Sequence, residues 1–290
     1  MHNPRLPAGT GPAIMAGMND NPRRQPSPPG PGLWQTWGRG PILALVIFLV
    51  LSNLTCQLLA YGLGGGLLLP LLAGSVLGVL LPLELLRRRG RLVPADDLGW
   101  DRPAPVTMLL AAVFALAALA PTSLLAEFSL RLHPVDPRWA ALYNEQLPLG
   151  PWALAGAVVA VVFAAPLAEE IIFRALLQRL AAEVWGPLPG LVLGALVFGI
   201  VHGEPWYLFG LVGVGLVMGL IWQTTRSLAT CWLAHALHNA VSLGALLADG
   251  GISLEPAVYG RADWILLGVS VGVLVAAGFA LRRRGPGRTA

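Results

Sequence analysis

The stretch APLAEEIIFRALLQRL, Ala165 to Leu180, ends a long uncharged run with two adjacent carboxylates, Glu169 and Glu170. An ionisable side chain inside an apolar membrane segment costs free energy, so such residues are functional suspects by default. Spacing separates the two. Glu170 and Arg174 lie four apart on one helix face, with the acid N-terminal to the base, the favourable order for an ion pair. Glu169 is rotated by about 100° and has no cation on its own face. Glu170 is therefore expected to be neutralised by Arg174, leaving Glu169 as the free carboxylate. The plainer reading makes both a surface pair at a helix end.

The rest of the chain supports a membrane setting. Of its 290 residues, 56% are hydrophobic and 12% charged, against about a quarter charged in soluble domains. The mean hydropathy is +0.68. The sequence predicts an all-α, polytopic integral membrane protein. All nineteen cations counted as Lys or Arg are arginine, which excludes Schiff-base, Ser–Lys and P-loop lysine chemistry. The net charge of +4 comes from arginine clusters beside apolar segments, as membrane-flanking charges do, and needs no nucleic-acid partner. Cys56 and Cys231 lie in different apolar segments without metal spacing and read as free thiols.

Residues 1–40, rich in Pro, Gly and Arg, read as a disordered cytoplasmic tail, with Trp34 and Trp37 at headgroup level. The bundle is expected over 41–284, with a short basic tail at 285–290. About 20 apolar residues cross the hydrocarbon core. Eight candidates fit: about 41–62, 66–86, 105–127, 150–172, 189–203, 207–223, 228–248 and 264–281. The fifth is short, and the fourth keeps its helical pattern to about Glu183. Arginines before span one and after spans two, four, six and eight fall on one side, which the positive-inside rule makes cytoplasmic. Both termini are then cytoplasmic.

The polar residues inside the spans are few: Glu169, Glu170 and Arg174 in the fourth, His202 at the end of the fifth, and His235, His238 and Asn239 in the seventh. His235 and Asn239 share a face, and His238 points elsewhere. At about 1.5 Å per residue, Glu169 lies about 15 Å from Arg179 and His235 about 14 Å from Arg226. The two depths agree and are expected in the cytoplasmic half.

These residues resemble a known family. EEIIFR (Glu169–Arg174) is similar to the E-E-x-x-x-R motif of the CPBP intramembrane proteases, the CAAX prenyl endopeptidase and bacteriocin-processing (ABI) group. FGIVH (Phe198–His202) resembles their F-x-x-x-H motif. HALHN (His235–Asn239), after TTRSLATCWLAH, resembles their third motif. The likeness covers about residues 150–248. It implies an eight-helix core that hydrolyses a peptide bond of a membrane-embedded or membrane-associated protein or peptide. Glu169 and His202 would activate water, His235 and Asn239 would stabilise the oxyanion, and Glu170 and Arg174 would support the site. The family is often called metalloprotease.

The chemistry is coherent on its own terms. Apolar surroundings make a carboxylate a stronger base, and donors aimed at a developing oxyanion stabilise it. Two His and one Glu also form a zinc ligand set, here Glu169, His202 and His235. The absence of H-E-x-x-H favours a site that needs no cofactor. Two other classes remain: a proton- or ion-coupled transporter using the Glu/His cluster, and a non-catalytic scaffold. Gly215 and Gly219 read as a close helix-packing pair. Membrane lipid is the one certain partner; the substrate and oligomeric state are open.

Overall fold

The computed structural model describes residues 31–254 and 257–284. These residues form helices and turns, and no strand occurs among them. The chain is organised around eight helices in chain order. They are α1 (Arg39–Gly62), α2 (Leu68–Arg88), α3 (Pro105–Leu132), α4 (Pro151–Trp185), α5 (Pro187–Val201), α6 (Pro205–Thr225), α7 (Leu228–Ala248) and α8 (Arg261–Arg283). Seven are long and apolar enough to cross a membrane. The fifth is not: its 15 residues span about 22 Å, short of a hydrocarbon core of about 30 Å. The expectation of eight spans becomes seven plus one short apolar helix. Large apolar side chains such as Leu58, Ile200 and Val275 stay exposed on the outside of the bundle, where lipid can cover them.

Consecutive helices run antiparallel, and small residues set the closest approaches. A methyl group built on Gly215 of α6 would stand 2.8 Å from the Ala195 Cα of α5. The expected packing role of Gly215 is thus met across the α5–α6 contact. On the other side, α5 packs against the end of α4, where Gly190 faces Ala182. Helix α5 is therefore clasped between α4 and α6 and carries His202 at its C-terminal end.

The antiparallel order gathers the arginines at one end. Arg39 Nη2 reaches the Glu183 carbonyl at 3.5 Å. Arg179 donates to the Asp96 and Asp97 carbonyls and lies 4.0 Å over the Trp34 ring. The loop before α3 is tied to the start of α7 by Leu228 N to Gly99 O at 2.8 Å. At the opposite end, Asn144 exchanges two hydrogen bonds with Ile252, and Trp139 packs on Trp206 at 4.7 Å.

The tail expected over residues 1–40 needs correction at its end. Residues 1–30 and the expected basic tail at 285–290 lie outside the described residues. Residues Leu33–Thr36 form a helical turn, and Leu33 is wholly buried. Trp34 is fixed by its backbone N–H and indole N–H to Asp97. A buried carboxylate with hydrogen-bond donors nearby recruited this segment into the fold, and composition alone did not show it.

Candidate active site

Helix α4 is irregular where the glutamates sit. Two π-helical segments, Val158–Ala164 and Ile171–Gln178, flank the α-helical turns Ala165–Glu170. Such wide turns recur at functional sites. Pro166 gives a local cause. In a π segment each carbonyl pairs with the N–H five residues on, and for Val161 that residue is Pro166, which has no N–H. Helix α7 supplies the missing donor: Asn239 Nδ2 donates to the Val161 carbonyl at 3.0 Å. About two turns earlier on α7, the Trp232 indole donates to Phe163 O at 3.0 Å. The two helices are thus stitched together through backbone carbonyls freed or widened by the π geometry.

The two glutamates face different surroundings, as their spacing required. Glu170 is wholly buried, with its Oε2 3.2 Å from Arg174 Nε. The approach is close enough for charge attraction but is not aligned as a hydrogen bond. The Arg174 guanidinium, also buried, lies 4.6 Å over the Phe198 ring, which offers a cation–π contact in place of hydrogen bonds. The expected Glu170–Arg174 pair is present.

The contact that sequence reading missed is His235. Its Nδ1 lies 2.7 Å from Glu170 Oε1, and its Nε2 lies 3.7 Å from Glu169 Oε2. One imidazole therefore stands between both carboxylates. With Nδ1–H donated to Glu170, a neutral His235 turns a lone pair toward Glu169. A protonated one turns an N–H there, balanced by Glu170 behind it.

Glu169 is partly exposed to a cavity of about 370 Å³. His202 lines the same cavity. Its Nδ1 contacts the Phe198 carbonyl at 2.6 Å. A carbonyl can only accept, so Nδ1 carries the proton and the neutral ring keeps Nε2 as an acceptor. Of the predicted set, then, Glu169 meets His235 and shares a cavity lining with His202. Asn239 does not line the cavity; one amide hydrogen is committed to Val161. His238 is buried and also lies outside the cavity lining.

Several polar residues of the cavity were passed over at the sequence level. Asn53 and Gln57, one turn apart on α1, are hydrogen-bonded to each other and line it with Ser75 and Gln146. Two amides four apart inside an apolar span were a readable signal. Glu204 also lines the cavity, two residues after His202. Burial pushes its carboxyl above the usual range, with His202 pulling the other way.

Among the described residues no three His, Cys, Asp or Glu side chains are grouped so as to hold an ion; with Nδ1 on Glu170, His235 has Nε2 free on the Glu169 side.

Residues 151–241 match the family model described as type II CAAX prenyl endopeptidase Rce1-like. Over that part the chain is similar to the CAAX-protease family. The Rce1-like segment holds both glutamates, His202, His235 and Asn239. An uncharacterized protein of Mycoplasma capricolum subsp. capricolum is 31% identical over 96 residues, covering 32% of this chain and 28% of that relative. The chain thus matches well under a third of the relative's length. No solved structure matches it significantly.

Proposed function

We propose that the protein is an intramembrane endopeptidase that hydrolyses a peptide bond of a membrane-associated protein or peptide. The observation that carries this reading is His235 held between Glu169 and Glu170 at a cavity that His202 also lines, within the Rce1-like segment. A water in the cavity would sit between Glu169 and His202. Glu169 takes a proton from it as the oxygen attacks the scissile carbonyl, and His202 Nε2 accepts the second hydrogen bond that orients it. His235, protonated and backed by Glu170, turns Nε2–H toward the developing oxyanion. Burial makes such a donor worth more than in water. The proton on Glu169 then passes to the leaving amine. Asn239 acts as a positioning residue that fixes α4 through Val161.

Glu170 and Arg174 are proposed as a mutually compensating pair that orients His235 through Glu170 without adding net charge to the bundle. The test is comparative peptidomics of membranes carrying the native chain and its Glu169→Gln variant at equal expression. Membrane peptides that disappear with Glu169→Gln support the reading. Identical peptide sets sink it.

A further inference from the structure

This inference takes the peptidase reading as its basis and adds where the substrate comes from. Apart from α4, whose Glu169, Ile172 and Phe173 lie in the half nearer Arg179, every helix that lines the cavity does so from its middle to the end farther from the arginine clusters. Helix α1 gives Asn53 and Gln57 but nothing from its Arg39 end, and α2 gives Leu68 and Ser75 but nothing near Arg87. At that end the lining consists of Gln146, Leu147 and Pro148 before α4 and Glu204 after α5. All of these belong to the end where Asn144 binds Ile252 and Trp139 meets Trp206. The sequence reading had placed the glutamates in the half nearer the arginines. Their depth from Arg179 agrees with mid-membrane, but the opening runs the other way.

Charge fixes which side that is. Arg39, Arg87 to Arg89, Arg91, Arg179, Arg226 and Arg282 to Arg284 occupy one end of the helix set, and the other end carries Glu127, Asp136, Glu145, Glu204, Asp249 and Asp263 with only Arg131, Arg138 and Arg261. Arginine-rich ends stay in the cytoplasm. The lining itself holds Glu169 and Glu204 and no arginine. A free C-terminal carboxylate entering this cavity would meet two acids and no arginine, a costly burial. The amides of Asn53, Gln57 and Gln146 offer both donors and acceptors to a main chain.

We infer that the cavity opens to the extracytoplasmic face and takes an internal, neutral or basic segment of a membrane-associated polypeptide from that side, not a chain with a free carboxyl end.

Two measurements test this. In a Cys56→Ser background, Leu147→Cys and Pro148→Cys are reacted with a membrane-impermeant maleimide in intact cells and in inverted vesicles, with Arg91→Cys as the reference for the other face. The buried Cys231 stays in place. Labelling of both mouth positions in intact cells, lost in inverted vesicles, with the reverse for Arg91→Cys, is the expected result. Mouth positions labelled from the Arg91 side, from both sides or from neither overturn the access side. Two mouth variants guard against one that misfolds. The second measurement offers a neutral decapeptide library, in amidated and free-acid forms, to the full-length protein in proteoliposomes. Faster cleavage of the amidated form is expected; equal or faster cleavage of the free acid overturns the substrate class. Cleavage of neither ends the peptidase reading and the substrate class with it, while the labelling still decides the access side.

Discussion

His235 Nδ1 lies 2.7 Å from Glu170 Oε1, across 65 residues of chain, inside a fully buried pocket of the bundle. The same carboxylate meets Arg174 through its other oxygen. Glu170 thus orients the imidazole, fixes its tautomer and shares its charge with a cation one turn along. Glu169, next to it in sequence, stays at the cavity. The pair of glutamates is explained by this division: one holds the histidine, the other faces the cavity.

Removing the holder should cost stability as well as rate. Glu170→Gln leaves Arg174 as a buried, uncompensated charge, and breaking a buried pair from one side costs about 3–5 kcal/mol. The melting temperature in detergent should fall clearly. Glu170→Gln with Arg174→Gln should regain part of the loss, since a neutral pair is cheaper than an unpaired charge. A double variant less stable than Glu170→Gln alone would mean that Arg174 is held by the Phe198 ring and not by the acid.

Asn239→Ala should destabilise the fold. The Asn239 side chain bonds the Val161 carbonyl, which lacks an N–H partner because residue 166 is proline. A buried acceptor left unpaired costs about 1–3 kcal/mol. Thermal unfolding of Asn239→Ala beside Asn239→Asp checks it. An Asn239→Ala variant as stable as the native chain would return the residue to a role confined to chemistry.

Much of this architecture was legible before any coordinates. Apolar runs gave the helices, because only a helix satisfies its own backbone in lipid. The i,i+4 rule gave Glu170–Arg174, because one helix face fixes that geometry. The contacts between helices were not legible. His235 reaches Glu170 only because α7 packs beside α4 at one register, which no local rule sets. The short α5 was seen, but its burial between α4 and α6 rests on glycines whose partners are distant in sequence. Pro166 could have flagged an orphaned carbonyl, and Asn53 with Gln57 could have flagged a polar wall. The direction of the cavity depends on which halves of several helices stand apart, which is a property of the assembled bundle.

The α5–α6 contact gives a packing prediction. Gly215→Ala places its methyl 2.8 Å from the Ala195 Cα, and backbone cannot move aside as a side chain can. The two helices must separate, at a cost of about 1–3 kcal/mol for overpacking. Because α5 carries His202, activity should fall with stability. A Gly215→Ala variant that melts like the native chain would show that α5 floats freely.

Glu204 gives a pH dependence. Burial raises its carboxyl above the usual range, so the folded state binds its proton more tightly than the unfolded chain. The stability it adds is fully present below the unfolded carboxylate range and is lost as pH rises through the raised folded value. Glu204→Gln removes this loss. Melting temperatures measured against pH should show the variant gaining on the native protein as the medium becomes less acidic. Parallel curves would mean that Glu204 titrates as an exposed carboxylate.

The central claim is that Glu169 is the base and Glu170 the holder. Single-turnover cleavage of a membrane peptide first identified by its loss in Glu169→Gln membranes tests it most directly, read together with melting temperature for Glu169→Gln and Glu170→Gln. The account predicts that Glu169→Gln melts near the native temperature and does not cut, while Glu170→Gln melts lower and cuts slowly. A Glu169→Gln protein that still cuts at the native rate, beside a stable and inert Glu170→Gln, would contradict it and exchange the two carboxylates.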